Sequence, residues 1–238
     1  MFASDSFEET SEISVALQWA TEIFGFTNVP KYYLSPQNFL TAYRDEDSFS
    51  FVVKGDPIYG HTYGPKPHFD PRWGKVAVAD IHPEQVLECR PRYGFEFWAT
   101  STQATGAPLE IINDQSLINQ ILDEHAPDSS VRPGGSEEIF WGGIRNESGQ
   151  VAAIGVLVKW QSGQYVLASV ATRAQDRSKG LATQLAAGVA AHAHSLGIGE
   201  VGLGVRDNNI AAQKAYAKAG YTRLAAFTNY FREAQNPD

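Results

Sequence analysis

Two short motifs between Gln175 and Tyr221, separated by one strand-like segment, narrow the folds open to this chain more than any other feature. The first, Arg177-Ser178-Lys179-Gly180-Leu181-Ala182, lies between the apolar run Tyr165–Val170 and a long helical segment. The second is Asn209-Ile210-Ala211-Ala212, followed by Tyr216 and then Gly220-Tyr221. A strand that ends in a glycine-containing turn and opens a helix leaves several backbone N–H groups without intrahelical partners. The helix dipole stands behind those donors, so the turn suits phosphate. Leu181, Leu185 and Val189 recur at four-residue spacing and give the helix a buried face, which fixes its first turn against a sheet. Backbone amides from Ser178 to Thr183 are then expected to meet a pyrophosphate. Gly180 and Ala182 are small enough for close approach, and Arg177 and Lys179 add positive charge. Taken alone, the same residues also read as an ordinary basic turn before a helix. With a second helix bringing the Tyr216 phenol close by, the pattern points to an enzyme that holds a phosphorylated cofactor and moves a group from it.

These residues resemble the GNAT superfamily of acyl-CoA-dependent N-acetyltransferases. The family's Arg/Gln-x-x-Gly-x-Gly/Ala signature is matched by Arg177, Gly180 and Ala182. Its Asn-x-x-Ala-x-x-x-Tyr-x-x-x-Gly-Phe motif is matched by Asn209, Ala212, Tyr216 and Gly220, with Tyr221 standing where the family has Phe. The resemblance runs from Ala107 to Arg232 and implies acetyl-CoA as the acyl donor, cradled by Arg177, Ser178, Lys179, Gly180, Leu181, Ala182 and Thr183. It implies that backbone groups at Val170 and Thr172 pair with the pantetheine arm, which enters where this strand parts from the next. Asn209 and Ala212 would open the helix beside the cofactor, although helix capping alone accounts for Asn209. Tyr216 corresponds to the general acid that protonates the departing thiolate, and a phenol suits that task because it stays protonated near neutral pH. Packing on the helix face is the other reading of Tyr216. No carboxylate lies on Tyr165–Thr172 to act as base; Glu137, Glu138 or a water ordered by Ser169 are the candidates.

A formal net charge of −8 argues against a nucleic-acid-binding surface and fits attraction of a cationic small-molecule amine. The single cysteine, Cys89, excludes an intrachain disulfide and reads as a small apolar residue. The acidic start of the chain is unlike a signal peptide, and the apolar run Val151–Val158 is too short to span a bilayer. A cytoplasmic protein with no membrane partner is expected, and nothing here fixes an oligomeric state. His61, His68 and Asp70 lack recognised ligand spacing, so no metal site is expected. Gly197-x-Gly199-x-x-Gly202 matches a dinucleotide fingerprint but follows a helix and precedes a strand, the reverse of what that site needs.

Periodicity predicts helices over Ile13–Phe24, from a Ser35-Pro36 start to Tyr43, from an Asp114 cap to His125, over Lys179–Leu196 and over Asn209–Ala219. Strands are expected at Ser48–Val53, Lys75–Ala79, Phe95–Ala99, Leu109–Ile112, Glu138–Ile144, Val151–Trp160, Tyr165–Thr172, Glu200–Arg206 and Thr222–Phe231. Gly55–Gly74 reads as a long loop, and a short helix is expected between Ala79 and Phe95. Small, breaker-rich Thr100–Pro108 reads as a linker. The expected fold is α/β with a mixed (α+β) sheet: an amino-terminal α/β domain over 1–105, then the GNAT fold over 106–238. The amino-terminal part would be either a degenerate copy lacking the cofactor motif or an unrelated cap. The expected activity is acetyl transfer to a primary amine by direct attack in a ternary complex; a non-catalytic acyl-CoA-binding or sensing module is the alternative.

Overall fold

The computed structural model describes residues 7–25, 28–70, 72–79, 89–106 and 108–232, and the chain divides into two compact units. Unit 1 comprises Met1–Phe97, Arg206–Asn208 and Leu224–Asp238, and unit 2 comprises Trp98–Val205 and Asn209–Arg223. No helix among the described residues is long and apolar enough to cross a membrane.

Unit 1 begins with β1 (Glu8–Thr10), α1 (Ile13–Phe24) and the short α2 (Pro30–Tyr33). The strands β2 (Phe39–Arg44), β3 (Phe49–Val53), β4 (Tyr59–Tyr63), β5 (Lys75–Ala79) and β6 (Cys89–Ser101) follow, with β12 (Thr222–Arg232) returning from the end of the chain. Their order is β1-β2-β3-β4-β5-β12-β6. Strands β1 to β4 pair antiparallel in sequence. Next, β4 and β5 run parallel over four matched positions, Tyr59↔Lys75 to Thr62↔Val78. The core is aromatic: Phe49 and Phe51 on β3 and Tyr63 on β4 are almost wholly buried.

In unit 2, β7 (Glu110–Ile111) leads to α3 (Gln115–His125), whose first turn is closed by Asp114 Oδ1 accepting from Leu117 N–H at 3.0 Å. Then come β8 (Glu138–Arg145), β9 (Val151–Lys159), β10 (Tyr165–Thr172), α4 (Leu181–Ser195), β11 (Glu200–Arg206) and α5 (Ile210–Lys218). The order runs β7-β8-β9-β10-β11. Val151 to Val158 on β9 are all buried, as a strand covered on both faces must be. Leu181, Leu185 and Val189 on α4 pack with Leu157, Leu167 and Leu203 of the strands in one core.

Two expectations in unit 1 are overturned. Ser35 caps a turn rather than a helix, because Ser35 and Asn38 exchange side-chain bonds: Ser35 N–H to Asn38 Oδ1 at 3.0 Å and Asn38 N–H to Ser35 Oγ at 3.3 Å. The chain leaves that turn as β2, where Phe39, Thr41 and Tyr43 alternate with Leu40 and Ala42 at strand period. The short helix here is Pro30–Tyr33, with proline at its first position. Gly55–Gly74 is not one loop, since β4 lies within it. Gly60 is what admits this strand: a Cβ there would stand 2.1 Å from Trp73 Cε3. The expected short helix after Ala79 and the side chain of Cys89 fall outside the described residues.

Candidate functional site

The first turn of α4 is open by construction. Gly180 holds its N-cap position at φ 77° with no side chain to cap the helix, and Gln184 N–H to Gly180 O at 3.1 Å is the first bond of the ladder. The N–H groups of Leu181, Ala182 and Thr183 precede that bond and have no partner within the helix. Ser178 also has positive φ, 64°. A Cβ built on Gly180 meets no protein atom within 4 Å, so the turn faces free space. That space is a cavity of about 600 Å³ bordered by this turn, by Val170, Ala171 and Thr172 on β10, and by α5.

A network of side chains fixes the turn. Asp176, 2% exposed, closes a 3-10 turn over Ala174–Asp176 and accepts from Lys179 Nζ at 2.8 Å and Asn146 Nδ2 at 3.1 Å. The Lys179 hydrogen bond, with Asn146 in support, holds the Asp176 carboxyl below the usual carboxylate range. Arg177 Nε donates to Thr172 O at 3.3 Å and its terminal nitrogen to His125 O at 3.4 Å.

On the strand side, β10 carries a bulge between Ala168 and Ala171 relative to β9, with Ser169 at φ 48°. Ser169 Oγ donates to Val131 O at 2.9 Å and accepts from Val131 N–H at 3.2 Å. The parallel strands β10 and β11 pair at Val166↔Gly202 and part beyond it. From the other side, α5 starts on Asn209, whose Oδ1 accepts from Ala212 N–H at 3.1 Å. One face of α5, carrying Ala211, Lys214, Ala215 and Lys218, borders the cavity with Tyr216. Tyr216 is 6% exposed, and burial pushes its hydroxyl up to about 12.

Comparison with known proteins identifies the element set that builds this cavity. Residues 110–221 match the model of the Acetyltransferase (GNAT) family. These residues form a GNAT acetyltransferase domain. Solved structures share its fold. A GCN5-related N-acetyltransferase from Sphaerobacter thermophilus is similar at 15% identity and TM-score 0.59, over 96% of each chain. One from Kribbella flavida matches at 13% identity and TM-score 0.57, over 92% of this chain and 96% of its own. A GNAT-family acetyltransferase from Colwellia psychrerythraea matches at 14% and 0.53, over 96% of this chain and all of its own. No curated protein sequence matches the chain.

Of the site residues expected from sequence, Val170, Thr172, Arg177, Ser178, Gly180, Leu181, Ala182 and Thr183 line the GNAT-domain cavity, as do Asn209, Ala212 and Tyr216. Lys179 is absent from the lining because its ammonium is committed to Asp176. Ser169 does not line the cavity, and its hydroxyl is bonded twice to Val131, which leaves one lone pair for a water. Glu138 Oε2 accepts from Gly134 N–H at 3.0 Å and so braces a loop instead of serving as a base, and neither it nor Glu137 lines the cavity. Sequence reasoning missed His125, Lys214 and Lys218. The lysines carried a signal, because their four-residue spacing puts them on one face of α5. His125 carried none: its approach to β10 depends on how α3 packs.

Proposed function

We propose that the chain transfers an acetyl group from acetyl-CoA to the primary amine of a small molecule, by direct attack in a ternary complex. The observation that carries this reading is the continuity of one cavity from the uncapped start of α4, past Val170–Thr172, to the hydroxyl-bearing Tyr216. The residues fit the donor substrate. Three open backbone N–H groups, the bare Gly180 and the cations Arg177, Lys214 and Lys218 suit its phosphates, while Asp176 is neutralised by Lys179. In this reading the amine lone pair attacks the thioester carbonyl, and a backbone N–H near Val170 steadies the oxyanion. The C–S bond then breaks, Tyr216 Oη–H gives its proton to the thiolate, the extra proton of the amine leaves to solvent, and Tyr216 is reprotonated from solvent. Burial that weakens Tyr216 as an acid also raises the basicity of a thiolate formed beside it, so the transfer is not opposed.

Among the described residues no free carboxylate lines the cavity, Asp176 being bonded to Lys179, so the amine has to reach it uncharged. The rate at subsaturating amine is expected to rise with pH up to the amine's own pKa. With Tyr216 at about 12 the acid form persists, and no alkaline fall is expected below pH 10. A bell-shaped profile would reveal a base elsewhere. The first test is melting temperature with and without acetyl-CoA, where ligand at 100 times Kd adds about 2.7 kcal/mol. Thiol release is then followed across an amine panel. A stabilised protein that releases no thiol with any amine would be an acyl-CoA-binding module.

We further propose that unit 1 is a second copy of the same fold without the cofactor motif. The support is its strand plan: three antiparallel strands, then a parallel pair, as in β8-β9-β10-β11.

A further inference from the structure

Among the described residues two that are not glycine hold a positive φ, Ser169 at 48° and Ser178 at 64°. L side chains rarely adopt that conformation, and it persists only where the surroundings enforce it. Both residues belong to the GNAT-domain cavity: Ser178 lines it, and so does Val170, the residue after Ser169. Strain placed twice around one cavity marks a place where the backbone has work to do.

The Ser178 kink shapes the turn before α4. The Ser169 kink stands inside a strand, where it breaks the ladder. Ala168 pairs with Val156 and Ala171 with Ile154, so Ser169 and Val170 together face Gly155 alone. The glycine eases this crowding. A Cβ there would stand 3.1 Å from Leu167 Cδ1, 3.2 Å from Leu185 Cδ2 and 3.3 Å from Val170 Cγ2. The Val170 side chain packs against the core, and the polar groups this residue can offer the cavity are those of its backbone.

Serine has none of glycine's freedom at φ 48°, so the hold must come from outside the strand. One hydroxyl meets both backbone groups of Val131, donating to its carbonyl at 2.9 Å and accepting its N–H at 3.2 Å. The chain around Val131 is braced in turn. Arg132 donates to Asp123 Oδ1 at 2.7 Å and to Pro127 O at 3.2 Å, and Gly134 N–H donates to Glu138 Oε2 at 3.0 Å. The clasp therefore ties the bulge to α3 and β8 instead of to a free loop. We propose that Ser169 is a positioning residue for acyl transfer: its two bonds to Val131 fix the kink that sets the Val170 backbone against the reacting thioester. The inference rests on the acetyl-transfer reading. Within it, the donor's phosphates are gripped at the α4 turn, so the clasp acts on turnover and leaves donor binding alone.

The test is steady-state kinetics of the full chain with acetyl-CoA and a productive amine, on Ser169→Ala and Ser169→Gly. Ser169→Ala should lower kcat about 10- to 100-fold. Its KM for acetyl-CoA and the acetyl-CoA-induced rise in melting temperature should be unchanged. Ser169→Gly lacks the hydroxyl too but takes φ 48° without steric cost, so its kcat should lie between those of the unaltered chain and Ser169→Ala. If Ser169→Ala does not fold, Ser169→Cys, which keeps the volume with a weaker donor, carries the test and should show the same split. Unaltered kcat in Ser169→Ala, a kcat in Ser169→Gly no higher than in Ser169→Ala, or a KM for acetyl-CoA that rises as kcat falls would overturn the inference and leave acetyl transfer standing. No thiol release from the unaltered chain with any amine would overturn both.

Discussion

Each unit contains a parallel strand pair, β4-β5 in one and β10-β11 in the other, and the two pairs behave differently. In unit 1, β4 and β5 stay in register over four positions, and the described residues among the eleven (64–74) that join them are not helical. In unit 2, β10 and β11 meet at Val166↔Gly202 and then part, and the connection between them holds the fifteen-residue α4. A crossover helix brings an N-terminus with unpaired donors, and the parting strands leave space in front of it. Where the connection is not helical among the described residues, the pair stays in register and aromatic side chains pack on its face. A shared strand plan does not carry the site; the helix and the gap do.

The largest effect is expected when chemistry is removed from unit 2 alone. Tyr216→Phe should lower kcat about 10²- to 10⁴-fold and leave the KM for acetyl-CoA unchanged; steady-state kinetics with a productive amine checks this, and full turnover removes Tyr216 from the reaction. Gly180→Val tests the open turn. A β-branched residue resists φ 77°, and its side chain projects into the cavity. Acetyl-CoA should bind more than about tenfold more weakly, roughly one charge-assisted hydrogen bond lost, as read by titration.

The converse substitution belongs in unit 1. Gly60→Ala forces a methyl into Trp73 and should cost about 1–3 kcal/mol of stability with acetyl-CoA affinity unchanged. A parallel loss of affinity in denaturation and titration experiments would show that the two parallel pairs are not independent. The smallest effect is expected at Tyr221, 3% exposed, whose hydroxyl has no partner among the described residues and is driven up by burial beside Tyr216. Tyr221→Phe should stabilise the protein by about 1 kcal/mol, measured as a shifted denaturation midpoint.

Much of unit 2 was legible because its signals are local. Asp114 and Asn209 cap helices with their own side chains, Gly180 and Gly197 mark turns, and the Leu181-Leu185-Val189 spacing names a buried face. What escaped were distant pairings. That Asn146 reaches a buried Asp176, that Ser169 is strapped to Val131, and that His125 reaches the cavity all depend on elements brought together by the fold. Unit 1 was harder for a related reason. Tyr59-Gly60-His61-Thr62-Tyr63 is a strand because Trp73 lies across Gly60, and residues rich in glycine, proline and histidine around it look like loop until that contact is known. Ser35-Pro36 misled because the same capping residues open turns as well as helices.

The bracing of residues 173–180 has a kinetic consequence. Because Asp176, Lys179, Asn146 and Arg177 already hold the turn in shape, capture of an anion there would demand little ordering of the chain. Association would then be a single step, linear in ligand concentration, with no slow isomerisation behind it. Its speed would be set by how strongly Arg177, Lys214 and Lys218 draw a polyanion towards an otherwise acidic protein, so added salt would slow arrival far more than departure.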